Sequence, residues 1–262
     1  MEGLFVGTSG WVYKGWAGTF YPKEVPAREH LAFYASNFNT VEINATFYRL
    51  PPETMVRGWR ERAAEGFIFA VKGSRFITHM KKLNVKPESI EIFFERATLL
   101  RKHLGPILWQ LPPNLHYDPP RLDSFLSQLP KRFRYAVEFR HPSWINAETR
   151  AVLRKHNAAH VSLSSMAMPM DLTITAEFIY IRFHGLKGGF AHDYTREELK
   201  PWAEHCRATL RDGLKVYAYF NNDANTRAPG NAKMLREMIE EPRHRSHGIR
   251  RRIRAMGTPV AA

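Results

Sequence analysis

Eight short strand-like runs recur along the chain, and most are followed by apolar residues at helical spacing. The runs cover residues 4–7, 40–44, 67–72, 107–111, 135–140, 160–163, 179–184 and 216–221. Strand and helix patterns in alternation imply βα units, and eight such units close into a parallel barrel that takes about 250 residues. With 262 residues, the chain is expected to form one α/β domain over 1–241, a (β/α)8 TIM-type barrel. The sixth unit is irregular, because residues 164–177 show no convincing helix and predict a loop or one short turn.

Punctuation agrees with this periodicity. Leu31, Tyr34, Ala35 and Phe38 share one helical stripe, and Met55, Val56, Trp59 and Ala63 share the next, so both sets are expected in the core. Pro51 and Pro52 suit a helix start, Asp118 or Pro119 opens another, and Gly105 and Gly213 stand where helices should stop.

No apolar stretch approaches the roughly 20 residues that span a bilayer, so no membrane partner is expected. The first residues show neither a basic region nor an apolar run before a small-residue cleavage site, so a cytoplasmic location is the expectation. The single cysteine, Cys206, lies at helical spacing with Leu199, Trp202, Ala203 and Leu210 and reads as an inert core thiol. The formal net charge is +14, and residues 242–262 hold six arginines and no acid. That segment reads as a flexible basic tail, and the positive charge left on the domain still favours anionic partners.

Side chains alternate along a strand. In residues 135–140, Tyr135, Val137 and Phe139 form the apolar face and Ala136, Glu138 and Arg140 the other. The apolar face must meet the helices, so the second set points to the barrel axis. Applied to every run, the same parity sends Glu42, Asn44, Lys72, Gln110, Glu138, Arg140, Arg182, His184, Tyr219 and Asn221 inward, nearly all at carboxyl ends. Barrel enzymes keep their sites at that end. An internal ion-pair network is the plainer alternative. Burying each ion costs several kcal/mol, however, and ten converging polar groups point to a ligand pocket more than to folding alone.

Several strings occur together in a familiar order. They are Val6-Gly-Thr-Ser-Gly-Trp11, Thr40-Val-Glu-Ile-Asn44 with Thr46-Phe-Tyr-Arg-Leu-Pro51, Phe69-Ala-Val-Lys72 with Ile77-Thr-His79, and Gln110-Leu-Pro-Pro113. Glu138-Phe-Arg-His141 with Ser143-Trp144, Arg182-Phe-His-Gly185 and Tyr219-Phe-Asn-Asn222 follow. In this order the chain resembles the YecE-like family, domain of unknown function 72, from about residue 4 to 240. The resemblance implies a TIM-type barrel and brings no agreed reaction. Two departures stand out. Ser162, Ser164 and Ser165 stand where the family carries an aspartate, and the turn after Asn221-Asn222-Asp223-Ala224 lacks a glycine.

Lys72, Arg140 and Arg182 around one cavity would cradle a phosphate or carboxylate. Glu42 and Glu138, on the second and fifth strands, are candidates for base and acid on opposite sides of a small substrate. His184 adds a group titrating near neutrality. Asn44, Gln110, Tyr219 and Asn221 offer polar contacts, and Tyr48 belongs to a set of aromatics, with Trp11, Tyr13, Phe47 and Trp144, that either ring the mouth or pack the loops. His79 reads equally as a supporting partner or a surface residue. The residues require no cofactor; a divalent metal would draw on Glu42, Glu138, His141, His184, His192 and Asp193, although no close ligand motif is present. The expectation is therefore a hydrolase or proton-abstracting enzyme for a small anionic substrate. The alternatives are a nucleic-acid-binding or repair-type phosphoesterase barrel and a non-catalytic ligand-binding module.

Overall fold

The computed structural model describes residues 1–241, so the basic tail lies outside the described residues. Eight parallel strands follow the predicted order: β1 (Leu4–Thr8), β2 (Thr40–Ile43), β3 (Ile68–Lys72), β4 (Leu104–Gln110), β5 (Tyr135–Glu138), β6 (Ala158–Ser165), β7 (Phe178–Gly185) and β8 (Lys215–Phe220). They hydrogen-bond in the order β1-β8-β7-β6-β5-β4-β3-β2. Outer helices are α1 (His30–Asn37), α2 (Ala45–Tyr48), α3 (Glu53–Arg62), α4 (Pro87–Ala97), α5 (Pro119–Ser127), α6 (Ala147–Lys155), α7 (Arg196–Arg211) and α8 (Arg227–Glu240). No helix intervenes between β6 and β7, as the irregular sixth unit predicts. The fold is an α/β TIM-type barrel.

Local chemistry explains several boundaries. Asp118 caps α5 by accepting from the Arg121 amide at 3.1 Å, and Thr195 and Glu198 form a reciprocal capping box at the start of α7. Gly213 ends the α7 segment at a φ of +77°, a conformation that suits glycine. Gly105 does not stop a helix; it lies inside β4, where an added Cβ would sit 2.4 Å from Ile68 Cγ2. Glycine there permits close strand approach, the other use of a missing Cβ. Met55 is not core either, being 47% exposed while Val56 and Trp59 are buried. The single turn of α2 is too short to show a period, and so escaped prediction.

The seam between β1 and β2 is closed by a single bridge, Ser9 to Glu42. Gly7 makes the approach possible, since an added Cβ would lie 2.2 Å from the Thr40 carbonyl oxygen. The Tyr34 hydroxyl of α1 fills the missing ladder: it accepts from the Thr8 amide at 2.9 Å and donates to the Thr40 carbonyl at 3.1 Å. Tyr34→Phe leaves both backbone groups unsatisfied at a buried position and is expected to cost about 1–3 kcal/mol. A urea-midpoint measurement checks this, and an unchanged midpoint would remove the seam role.

Candidate active site at the carboxyl mouth of the barrel

Three neighbouring registers build the charged centre. Gln110 pairs with Glu138 across β4 and β5, Arg182 pairs with Tyr219 across β7 and β8, and Ser9 bridges to Glu42. Glu42 and Glu138 are fully buried, and Arg182 is 1% exposed. The Arg182 guanidinium stands between the two carboxylates, with NH2 donating to Glu42 Oε1 at 2.7 Å and NH1 donating to Glu138 Oε2 at 2.5 Å. The space expected for a substrate between the two acids is therefore occupied by this side chain.

Each carboxylate accepts three hydrogen bonds. Glu42 Oε1 also accepts from Ser9 Oγ at 2.8 Å, and Oε2 accepts from the Tyr180 hydroxyl at 2.6 Å. Glu138 Oε1 accepts from Gln110 Nε2 at 2.8 Å and from Arg140 Nε. Burial by itself would raise both pKa values, but Arg182, with the Tyr180 hydrogen bond and Lys72, outweighs it at Glu42, and Arg182 and Arg140, with His184, do so more strongly at Glu138. Glu42 is thus held below the usual carboxylate range and Glu138 well below it. Strand parity puts Tyr180 on the inward face of β7 with Arg182 and His184, although not among the candidate site residues, and Ser9 was not singled out from sequence.

His184 completes the rim of this group. Arg140 NH2 lies 3.0 Å and Arg182 NH1 3.2 Å from its Nε2. Guanidinium groups only donate, so Nε2 accepts and the ring proton belongs on Nδ1; Asn221 Nδ2, 3.1 Å from Nδ1, is itself a donor, so this tautomer requires the Asn221 amide turned end for end, with Oδ1 accepting from Nδ1–H. Burial first, and then Arg182, lower the His184 pKa to about 4, so the ring is neutral at neutral pH. An unfolded histidine titrates near 6.5, so the unfolded chain takes up this proton before the folded one. Stability is expected to fall as pH drops from about 6.5 towards 4, by about 3 kcal/mol from this residue. His79 and His160 shift in the same direction. Urea midpoints across that range check the slope, which His184→Gln should flatten by one proton's worth; an unchanged slope would mean the ring titrates normally.

Lys72 ends β3 and is 8% exposed, with Nζ 4.1 Å from the centre of the Phe47 ring. Among the described residues it has no carboxylate within 4 Å, because Glu42 and Glu138 are engaged by the arginines. Burial, and then the Arg182 charge, bring its pKa down to about 8. His79 edges the other side of this corner, packed against Phe47 with ring centroids 4.9 Å apart.

Two inward candidates, Tyr219 and Asn44, and the rim candidate Tyr48 stay outside the hydrogen-bonded group. Tyr219 is fully buried one layer lower, where its hydroxyl meets Thr40 Oγ1 at 2.7 Å and its ring packs 5.2 Å from Tyr180. It floors the cluster and directs no polar atom to the mouth. Asn44 borders a cavity of about 410 Å³ between the β1 and β2 loops, beside Trp11 and Trp59, and its Oδ1 is buried with no partner among the described residues. Tyr48 is 71% exposed at the rim. Of the other aromatics, Trp144 is loop packing: it stacks on Phe139 and donates to the Leu115 carbonyl at 2.7 Å. Among the described residues no three His, Cys, Asp or Glu side chains cluster as a metal site. Cys206 is buried, and burial pushes its thiol up to about 12.

The two family departures have structural counterparts. Ser164 Oγ lies 2.8 Å from the Tyr194 hydroxyl, so the serine is held in a neutral contact where an acid was expected. After β8, Asn225 and Thr226 adopt φ values of +66° and +60°, the left-handed conformation that a glycine would take without strain.

Comparison with known proteins places this architecture. The chain is 24% identical over 272 residues to UPF0759 protein YunF of Bacillus subtilis, covering 90% of this chain and 95% of that one. It is 37% identical over 112 residues to UPF0759 protein YecE of Escherichia coli, covering 42% and 41%. The crystal structure of a DUF72 family protein from Thermotoga maritima superposes with a TM-score of 0.82 at 28% identity, covering 91% of this chain and 99% of that one. A DUF72 family protein from Enterococcus faecalis shares the fold, with a TM-score of 0.77 at 19% identity over 91% and 96%. The profile described as protein of unknown function DUF72 matches residues 5–253, and the chain belongs to that family.

Proposed function

We propose that the barrel mouth binds a small anionic ligand, carrying a carboxylate or phosphate, and that the chain is an enzyme acting on it. The carrying observation is the charge balance of the buried group. Two carboxylates face Arg140, Arg182 and Lys72, and Lys72 has no counter-ion within 4 Å among the described residues. A buried ammonium without a partner is costly, and an incoming anion would supply one. Arg140, 25% exposed, is the guanidinium a ligand can recruit from the mouth. Gln110, Asn221 and neutral His184 offer further polar contacts around it.

In this reading Glu42 and Glu138 hold the guanidiniums in place. Proton abstraction or water activation by Glu138 becomes available once a ligand draws Arg140 away and leaves Gln110 as the one remaining donor to Oε1, which keeps the hydrolase and proton-abstraction chemistries together. The test is thermal unfolding with orthophosphate or acetate, against chloride at equal ionic strength. Wild type should gain stability with the oxyanions, and Lys72→Met should lose that gain. Equal shifts in both proteins would mean a general salt effect and no site.

A second reading rests on the apolar rim. Val12, Tyr48, Phe76, Met80, Met166, Met170 and Phe190 are exposed, and all follow strand carboxyl ends. Exposed aromatics around a cationic well would also suit the bases and phosphates of a nucleic-acid strand. That ligand predicts a steep salt dependence of binding, whereas a single small anion gives a shallow one.

A further inference from the structure

We propose that Lys72 is a carbonyl-reactive amine, forming an iminium link with a small oxo acid whose carboxylate is held by Arg140. The inference rests on the anionic-ligand reading and deepens it by naming the substrate class.

The position of the amine is the first support. Lys72 is the last residue of β3, at the end of the barrel where side chains can meet a ligand, and its main chain is pinned by Thr46 Oγ1 donating to the Lys72 carbonyl at 2.6 Å. Its nitrogen sits against the Phe47 ring and is not committed to a carboxylate. The charged groups facing it are Glu42 from β2, Glu138 from β5, Arg140 just beyond β5, and Arg182 from β7, with His79 in the turn that follows β3. Each acid is paired with a guanidinium; the two carboxylates still favour the charged amine, but burial and then the Arg182 charge outweigh them. Burial and neighbouring cations both favour the neutral amine, which is the nucleophilic form. A lysine serving only as a surface charge would need none of this.

The chemistry closes without a further reagent. Lys72 gives one proton to solvent, and its nitrogen pair forms a C–N bond to the carbonyl carbon while the C=O π pair moves to oxygen. That oxygen is protonated twice and leaves as water, the nitrogen retains one proton, and an iminium results. Water addition reverses the sequence. Arg140 supplies the anion contact that distinguishes an oxo acid from a neutral carbonyl compound.

The test uses the full chain with pyruvate, or with acetone as the neutral ketone probe, in the presence of cyanoborohydride, followed by peptide mapping. At pH 7.5 Lys72 should be reductively alkylated by pyruvate about a hundredfold faster than exposed lysines such as Lys81 and Lys187, following its larger neutral fraction. Its rate should level off near pH 8. Labelling that simply follows exposure, leaving the 8% exposed Lys72 unmodified, would overturn the proposal. If pyruvate stabilises the fold but never marks Lys72, the amine role fails and the anion site stands. If acetone marks Lys72 over Lys81 as selectively as pyruvate does, the carboxylate contact adds nothing and the oxo-acid assignment fails, while the phosphate and acetate shifts decide the anion reading separately. Because wild-type protein is mapped throughout, a variant that fails to fold cannot obscure the result.

Discussion

Arg182→Met should cost the fold about 3–5 kcal/mol, because it strands two fully buried carboxylates that share one guanidinium. The effect comes from what is left behind. Glu42 retains Ser9 and Tyr180 as donors, and Glu138 retains Gln110 and Arg140, but neither keeps the charge that most lowers its pKa. One or both acids should then take up a proton within the physiological range. The urea midpoint should therefore drop sharply at neutral pH and recover partly on mild acidification, opposite in sign to the wild-type trend expected from His184. Arg182→Lys should rescue little, since one ammonium cannot replace two N–H arms directed at separate carboxylates. Adding Glu42→Gln and Glu138→Gln to Arg182→Met should restore much of the loss, as replacing a whole buried ionic group is often neutral. If Arg182→Met is as stable as wild type, the ionic centre is not a structural unit.

How far this centre was legible follows from what strand parity can encode. Alternation places Glu42, Glu138 and Arg182 on the inward face because their apolar neighbours must meet the helices, and the structure puts all three inside. Parity does not encode depth. Tyr219 and Asn221 share a face, yet the tyrosine reaches down to Thr40 while the asparagine reaches the rim and His184. Nor does it encode occupancy. Two acids and a guanidinium pointing inward read equally as an open cleft or as a filled one, and only the 2.7 Å and 2.5 Å contacts show that Arg182 fills it. Gly105 was misread for a similar reason, since the residue that ends helices also lets strands approach. The Tyr34 seam carries no local signal, because the hydroxyl comes from α1 and the groups it satisfies lie on β1 and β2.

Glu138→Gln separates the two uses of the centre, lowering stability while tightening the grip on anions. The carboxamide keeps one acceptor oxygen but turns an NH2 donor towards guanidinium donors, so the unliganded protein should lose about 3 kcal/mol. The charge balance then moves from three cations against two acids to three against one, and Arg140 loses its ion-pair partner. Orthophosphate should bind more tightly to this variant than to wild type, by about tenfold or more for a charge-assisted contact worth about 1.5–3 kcal/mol. At a hundred times Kd the ligand restores about 2.7 kcal/mol, so saturating phosphate should return most of the lost stability. A structural network with no ligand predicts the destabilisation alone. A phosphate affinity unchanged from wild type, measured by calorimetry at constant ionic strength, would refute the anion site. Tighter binding together with lost turnover of a substrate later found would give Glu138 a chemical role as well, since only an ionised carboxylate can accept the proton that recruitment of Arg140 leaves room for.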